Sequence, residues 1–416
     1  MTRFELAIVG GGLTAARAIK EYRAAGGAGR IALLTNERAL PYHRPPLSKR
    51  YLRREAERED TLVESPVFYE DNDVELLLGT EVVRLDPHEQ AVATSDGSRY
   101  RYRRLLVATG AVPRTLGVEG ADLRNVFSLR SLEDATAIRQ AAAKGHDAVV
   151  VGSGFIGMEV AASLTGLGLD VTLVSRDVEL FAQLRSPELS EELVHLYREH
   201  GVEVIRGDQV RAFRGSSRVD TVELHTGRPL GADLVVVGIG VRPAVSVVEG
   251  SGIAVDDGIV VSDGFGTNVP GVYAAGDVAR FFDPLFGRRR RIEHWSNANY
   301  QGSEVGKILA GAAGGYDTVS TFFTESFGLT LKVFGDVSGH DDRIPRGSLA
   351  AGDAIVLYLD RGRLVGTLHT GQDDETEQLL KRLIGAQAEP RDVRLLADET
   401  VSLEEAFTAD ATALCG

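Results

Sequence analysis

The chain has one cysteine, Cys415, in 416 residues. That count excludes an intramolecular disulfide, a cysteine-pair redox relay and an all-cysteine metal or iron–sulfur site within one chain. Lysine is also scarce: only six of the 46 basic residues are Lys, so each one is worth locating. Acid outweighs base, 60 Asp and Glu against 46 Lys and Arg, for a net charge of −14. That balance argues against a general affinity for nucleic acid or anionic membrane. No apolar run reaches the roughly 18 residues of a transmembrane helix. Arg3 and Glu5 lead straight into an apolar run, which does not read as a signal peptide. A cytoplasmic enzyme is the expectation, with no membrane and no nucleic acid among its partners.

Glycine, by contrast, is plentiful at 47 residues, and its placement organises the chain. An apolar run at 4–9 is short enough for a buried parallel strand. Gly10-Gly-Gly12 follows, then a helical pattern over 13–25 and a second strand at 31–34. The same order recurs about 140 residues later. A strand at 148–151 leads into Gly152-Ser-Gly154-Phe155-Ile156-Gly157, a helix to about 167 and a strand at 171–174. Further strands are predicted at 105–108, ending in Thr109-Gly110, at 234–237, ending in Gly238-Ile-Gly240, and at 272–275, ending in Gly276-Asp277. Ser186-Pro187 starts a helix, with Ser186 as N-cap, Leu189, Leu193, Leu196 and Tyr197 as its apolar face, and Gly201 as its stop. From about 322 the texture becomes strands at 329–334, 354–359 and 364–368 and a helix at 376–384. The fold class is α/β: two Rossmann-like dinucleotide-binding domains plus a small C-terminal α+β domain.

Each glycine loop lies between a strand and a helix, the context that the dinucleotide fingerprint requires. The first Gly makes the turn, the second admits the pyrophosphate, and the third lets helix and strand pack. The N-terminal loop, Gly10-x-Gly12-Leu13-Thr14-Ala15, carries the accepted Ala variant at the third position. Two such folds in one chain are most simply explained by two dinucleotides, FAD and a nicotinamide cofactor. An acid at the end of the second strand binds a ribose hydroxyl. The candidates are Asn36 and Glu37 in the first unit. In the second unit Ser175 and Arg176 stand there instead, and a guanidinium suits a 2′-phosphate. NADPH is therefore slightly favoured over NADH, the alternative being a solvated Arg176 with Asp177 as the acid.

Further segments then coincide: Pro41-Tyr-His-Arg-Pro-Pro-Leu-Ser-Lys49, Leu105-Leu-Val-Ala-Thr-Gly110, Leu129-Arg-Ser-Leu-Glu-Asp134, Gly271-Val-Tyr-Ala-Ala-Gly-Asp277 and Arg291-Ile-Glu-His-Trp-Ser-Asn-Ala298. In this order the chain resembles, over essentially its whole length, the FAD-dependent ferredoxin reductases of oxygenase systems. These are the putidaredoxin-, rubredoxin- and biphenyl-dioxygenase-reductase type, within the glutathione-reductase-like flavoprotein fold. The resemblance implies a discontinuous FAD domain (1–111 and 243–320), an inserted NAD(P)H domain (112–242) and a C-terminal interface domain (321–416). It implies hydride transfer from NAD(P)H to the flavin, then single electrons to a ferredoxin or rubredoxin-type carrier. The same broad family includes reductases of quinones or monodehydroascorbate and a redox-responsive binding protein of the apoptosis-inducing-factor type.

By the same resemblance Thr14, Val82, Thr109, Gly110, Arg130, Gly240, Gly276, Asp277, Glu293 and Trp295 are cofactor-binding. Asp277 would bond a ribityl hydroxyl or cap a helix, and Trp295, the only Trp, would otherwise be a core aromatic. Lys49 and Glu159 would form a catalytic ion pair beside the flavin, the alternative for Glu159 being a solvated first-turn helix acid. Arg44 would add a flavin or phosphate contact, or else a surface ion pair; His43 reads as a surface residue. No metal site is indicated. Two basic runs, Lys49-Arg50…Arg53-Arg54 and Arg288–Arg291, could steer an acidic iron–sulfur partner or be internally paired. Phe322-Phe-Thr-Glu325 stands where many relatives have Phe-Trp-Ser-Asp, which leaves the partner surface more open than the FAD site.

Overall fold

A computed structural model describes residues 3–349 and 351–407. Cys415 lies outside the described residues. The chain divides into two compact units, one of residues Met1–Pro46, Ala56–Val112 and Val241–Asp317, the other of Leu47–Glu55, Pro113–Gly240 and Thr318–Gly416. The segment carrying Lys49 therefore belongs with the second unit, although it lies between two parts of the first.

The first unit is built on a mostly parallel sheet. Arg3–Val9 pairs on one side with Ile31–Thr35 and on the other with Arg99–Val107. Val74–Leu78 extends the sheet beyond Ile31–Thr35. The nine-residue strand Arg99–Val107 has two neighbours in succession along its remaining edge. Its start pairs antiparallel with Ala91–Thr94 of a hairpin, and its end pairs parallel with Val272–Ala274. Every residue of Ile31–Thr35 is buried, as expected where both sheet faces are covered. Helices Leu13–Ala24 and Trp295–Ala310 pack closely because small residues face each other. A Cβ on Gly302 would lie 2.7 Å from the Thr14 carbonyl oxygen, and one on Gly306 2.5 Å from that of Ala18.

The second unit holds a five-stranded parallel sheet. Asp147–Val151 sits between Asp170–Ser175 and Leu234–Val237, with Glu203–Arg206 and Val126–Ser128 at the edges. This is again the strand–loop–helix–strand order read from the sequence. Residues 321–370 form a five-stranded antiparallel sheet on which helix Asp374–Gly385 packs. Asp373 caps that helix, two residues earlier than the apolar periodicity alone would place its start.

Two local expectations are corrected. Ser186 is the N-cap of Pro187–Glu199 by position, but its hydroxyl makes no capping bond and is buried; Val194 joins the buried face while Leu196 is only half-buried. Asp277 caps no helix: after the Gly276 turn the chain enters strand Ala279–Asp283.

Candidate functional site

In the first unit, strand Arg3–Val9 runs into Gly10, whose φ of +116° and 2.2 Å Cβ approach to the Ala108 carbonyl admit only glycine. Gly12 is different. It is the N-cap of Leu13–Ala24, makes no side-chain capping bond, and nothing lies within 4 Å of where its Cβ would stand. The first-turn N–H groups at Leu13, Thr14 and Ala15 thus head a helix dipole with open space at the glycine. Thr14 is buried, and its hydroxyl donates to the Ala298 carbonyl at 3.1 Å. Gly276 packs on it, a Cβ there meeting Thr14 Oγ1 at 2.5 Å.

The second loop repeats this division of labour. Gly152 has φ +107° and a Cβ position 2.4 Å from the Gly238 carbonyl oxygen. A Cβ on Gly157 would sit 1.9 Å from Gly152 O, so helix and loop touch there. Gly154 is the uncapped N-cap of Phe155–Gly166, with nothing within 4 Å of its Cβ position. Ile156 in the first turn is 40% exposed. Both loops therefore fit a dinucleotide on their own geometry: an uncapped helix start and a glycine with empty space in front of it.

At the end of Asp170–Ser175 the Ser175 hydroxyl is engaged within the protein, with Ser153 Oγ at 2.7 Å and the Asp177 carbonyl at 2.8 Å. Arg176 and Asp177 both reach solvent, 71% and 48% exposed, and lie 3.3 Å apart. In the first unit Asn36 is exposed, whereas Glu37 receives Arg44 at 2.7 Å and the Tyr42 hydroxyl. Burial works against the Arg44 charge, but Tyr42 and Glu37 outweigh it and hold the guanidinium above its usual range. Arg44 is thus paired with Glu37 and half-buried.

The remaining expected residues are placed as follows. Thr109 Oγ1 donates to the Ala244 carbonyl at 2.7 Å, and Gly110 (φ +68°) accepts from Ala244 N. Val82 pairs with Thr94 in the hairpin and packs on the first unit's core. Arg130 donates its backbone N–H to Asp134, whose carboxylate completes a capping box with Ser131. Gly240 (φ +96°) accepts from Arg114 N. Glu293 is exposed and pairs with Arg291. Trp295 is not a core aromatic: it is 36% exposed at the start of its helix, and its Nε1–H donates to His43 Nδ1 at 2.9 Å. His43, read as a surface residue, is therefore a partner of the only Trp. His294 is half-buried, and burial chiefly, with Arg290 adding to it against the pull of Asp277, pushes its imidazole down to about 4.

The second unit also holds the charged pair. Glu159 lies on the second turn of Phe155–Gly166 and is 4% exposed, so it is not a solvated first-turn acid. Its Oε2 meets Lys49 Nζ at 2.6 Å and accepts from the Ser48 hydroxyl at 2.5 Å. Its Oε1 accepts from the Thr324 hydroxyl at 2.8 Å. Ser48 is held from behind as well, its carbonyl accepting from Ser163 at 2.6 Å. Ser48 and Thr324 went unnoticed in the sequence: hydroxyl residues are common, and Thr324 lies 165 residues from Glu159. The run Thr321-Phe-Phe-Thr-Glu-Ser326 has no apolar–polar alternation to mark Thr324 as inward; only the burial of the strand shows it.

The basic runs are largely tied up internally. Arg290 pairs with the buried Asp283 at 2.8 Å, Arg289 donates to the Val261 carbonyl, and Arg291 pairs with Asp257 and Glu293. Arg53 makes two 2.8 Å bonds to Glu55, and Arg54 donates to the Arg139 carbonyl. Among the described residues the one group with metal-ligand spacing is His146, Asp147 and Asp170, all exposed.

Residues 4–302 match the model of the pyridine nucleotide-disulphide oxidoreductase family. The chain belongs to that family. Residues 321–407 of this oxidoreductase match the reductase C-terminal family. It is 36% identical to putidaredoxin reductase CamA of Pseudomonas putida over 97% of this chain and 96% of that protein. It is 35% identical to the peroxisomal monodehydroascorbate reductase 4 of Arabidopsis thaliana over 91% of this chain and 82% of that one. A crystal structure of a covalent putidaredoxin reductase–putidaredoxin complex superposes with a TM-score of 0.93 at 36% identity, covering 98% of this oxidoreductase and 99% of that chain. No helix among the described residues is long and apolar enough to cross a membrane.

Proposed function

We propose that this oxidoreductase is an FAD-dependent NAD(P)H:ferredoxin reductase, passing electrons to an iron–sulfur carrier that feeds an oxygenase or cytochrome P450. The observation that carries the reading is the pair of open, uncapped glycine-loop helix starts in a chain alike over nearly its full length to a reductase solved with its putidaredoxin. FAD supplies the chemistry of taking a hydride from the nicotinamide and releasing electrons singly.

The protein's part is binding, orientation and electrostatics. The helix start at Gly12–Ala15 would hold the FAD pyrophosphate, with Thr14 packed under Gly276 to keep the loop rigid. Asp277, on the Gly276 turn, would bond a ribityl hydroxyl, and Glu37 a ribose hydroxyl, its carboxylate oriented by Arg44 and Tyr42. Gly152–Gly157 would hold the nicotinamide dinucleotide. Arg176 would pair with a 2′-phosphate, so NADPH is favoured. Lys49, a point charge on a flexible stem, would favour the reduced, anionic flavin, with Glu159 holding it in place. No sulfur lies in the Pro41-to-Lys49 stretch, so electrons leave without a thiol relay.

Likeness to monodehydroascorbate reductases supports a second reading, a reductase of small acceptors. Steady-state cytochrome c reduction with and without added ferredoxin separates the two. Turnover that depends on ferredoxin supports the first, and fast quinone turnover without a carrier overturns it. The nicotinamide preference is read from kcat/KM for NADPH and NADH in wild type and Arg176→Gln; strong NADH preference in wild type overturns the role given to Arg176.

A further inference from the structure

A carboxylate has two equivalent oxygens, and the terminal torsion of a glutamate is broad and two-fold. An ion pair alone does not fix the rotation of the carboxylate plane. At Glu159 hydroxyls fix that plane, because the oxygen on Lys49 also takes Ser48 while the other takes Thr324. Ser48, Glu159 and Thr324 are 1%, 4% and 2% exposed, so water has little access to replace either hydroxyl.

We propose that Thr324, with Ser48, is a positioning residue that fixes the rotation of the Glu159 carboxylate plane so that one of its oxygens stays on the Lys49 ammonium. The proposal rests on the reading of Lys49 given above. Strand Thr321–Ser326 brings two side chains of one face to the helix that carries Glu159. Phe322 stacks edge-on against Phe155 at 4.8 Å, and Thr324 reaches Glu159. Two residues of strand advance about 6.6 Å, and four residues of helix advance about 6 Å. The steps from 322 to 324 and from 155 to 159 therefore match, and the aromatic contact sets the register of the hydroxyl. Thr is stiff at χ1, so its hydroxyl direction follows the strand backbone. The first strand of the C-terminal sheet thus completes a charged pair whose members stand on other segments of the chain.

The test uses holoenzyme labelled with 15N-lysine, whose six ammonium groups are few enough to resolve. Lys49, with 11% of its side chain exposed, should give a slowly exchanging Nζ signal, assigned by its loss in Lys49→Met. Thr324→Val keeps the shape and removes the hydroxyl. It should weaken or shift that signal and slow flavin reduction about tenfold, the cost of one hydrogen bond to a charged group, with the NAD(P)H dissociation constant unchanged. Thr324→Ser should restore both readouts. Should Thr324→Val not accumulate, Ser48→Ala reads the same carboxylate. An unaltered Lys49 signal in Thr324→Val, or a Thr324→Ser variant as slow as Thr324→Val, overturns the proposal. Wild-type reduction by Lys49→Met would instead sink the flavin role of Lys49, while the ammonium signal judges the hydroxyl's hold by itself.

Discussion

Lys49→Met removes one partner of an ion pair in which Glu159 is almost fully buried. Stranding one charge of a buried pair costs about 3–5 kcal/mol. Two hydroxyls still donate to the carboxylate, so the lower end applies, about 3 kcal/mol. For a unit of this size that is a fall of roughly 6–12 °C in the melting midpoint. Glu159→Gln removes the carboxylate instead and should cost a similar amount. The double variant Lys49→Met/Glu159→Gln buries no net charge and should recover most of the stability, because replacing both members of a buried pair is often close to neutral. Flavin reduction should not recover with it, since the ammonium is still missing. Thermal melts report stability, and stopped-flow bleaching of the flavin reports function. The reasoning fails if both single variants melt within about 1 °C of wild type, or if the double variant regains wild-type reduction along with its stability.

Gly154→Ala places a Cβ with no atom within 4 Å at an ordinary φ of −83°, so its melting midpoint should hold while NAD(P)H binding weakens; Gly152→Ala, at φ +107° against a carbonyl, should instead lose stability, and calorimetry with NAD(P)H titration distinguishes them. His369 is 1% exposed, and burial first, then Lys332 and Lys381, push its imidazole down to about 4. The unfolded chain, with a histidine pKa near 6.5, binds more protons in that window. This contribution is therefore whole above about pH 6.5 and falls away toward pH 4, by about 3 kcal/mol. His369→Phe should flatten the melting midpoint between pH 7 and 4.5, and an unchanged slope refutes the assignment. Arg290→Ala leaves Asp283, 1% exposed, without its 2.8 Å partner. It should lower the melting midpoint markedly while leaving the salt dependence of ferredoxin reduction nearly as in wild type; the reverse pattern would return Arg290 to the docking face.

What the chain declares locally was readable from residues alone. Both glycine loops announce strand, turn and helix within a dozen residues, because only glycine tolerates the positive φ at Gly10 and Gly152 and the close approach at Gly157. Lys49 and Glu159 were legible only through the resemblance to ferredoxin reductases. The helix cap that stood as the alternative for Asp277 is absent, because a turn signal does not say whether a helix or a strand follows it, and Ala279–Asp283 is a strand.

The sequence by itself determined the two nucleotide-type units and the absence of a sulfur in the Pro41-to-Lys49 stretch. Tertiary structure decided who touches whom. It bound Lys49, Ser48 and Thr324 to one carboxylate across separations of up to 165 residues, engaged the Ser175 hydroxyl with Ser153, and paired much of a basic run with Asp283, Val261 and Asp257. Backbone conformation is written in neighbouring residues. The partner of a buried charge is chosen by packing, since any acid or carbonyl brought within about 3 Å in a dry interior will serve.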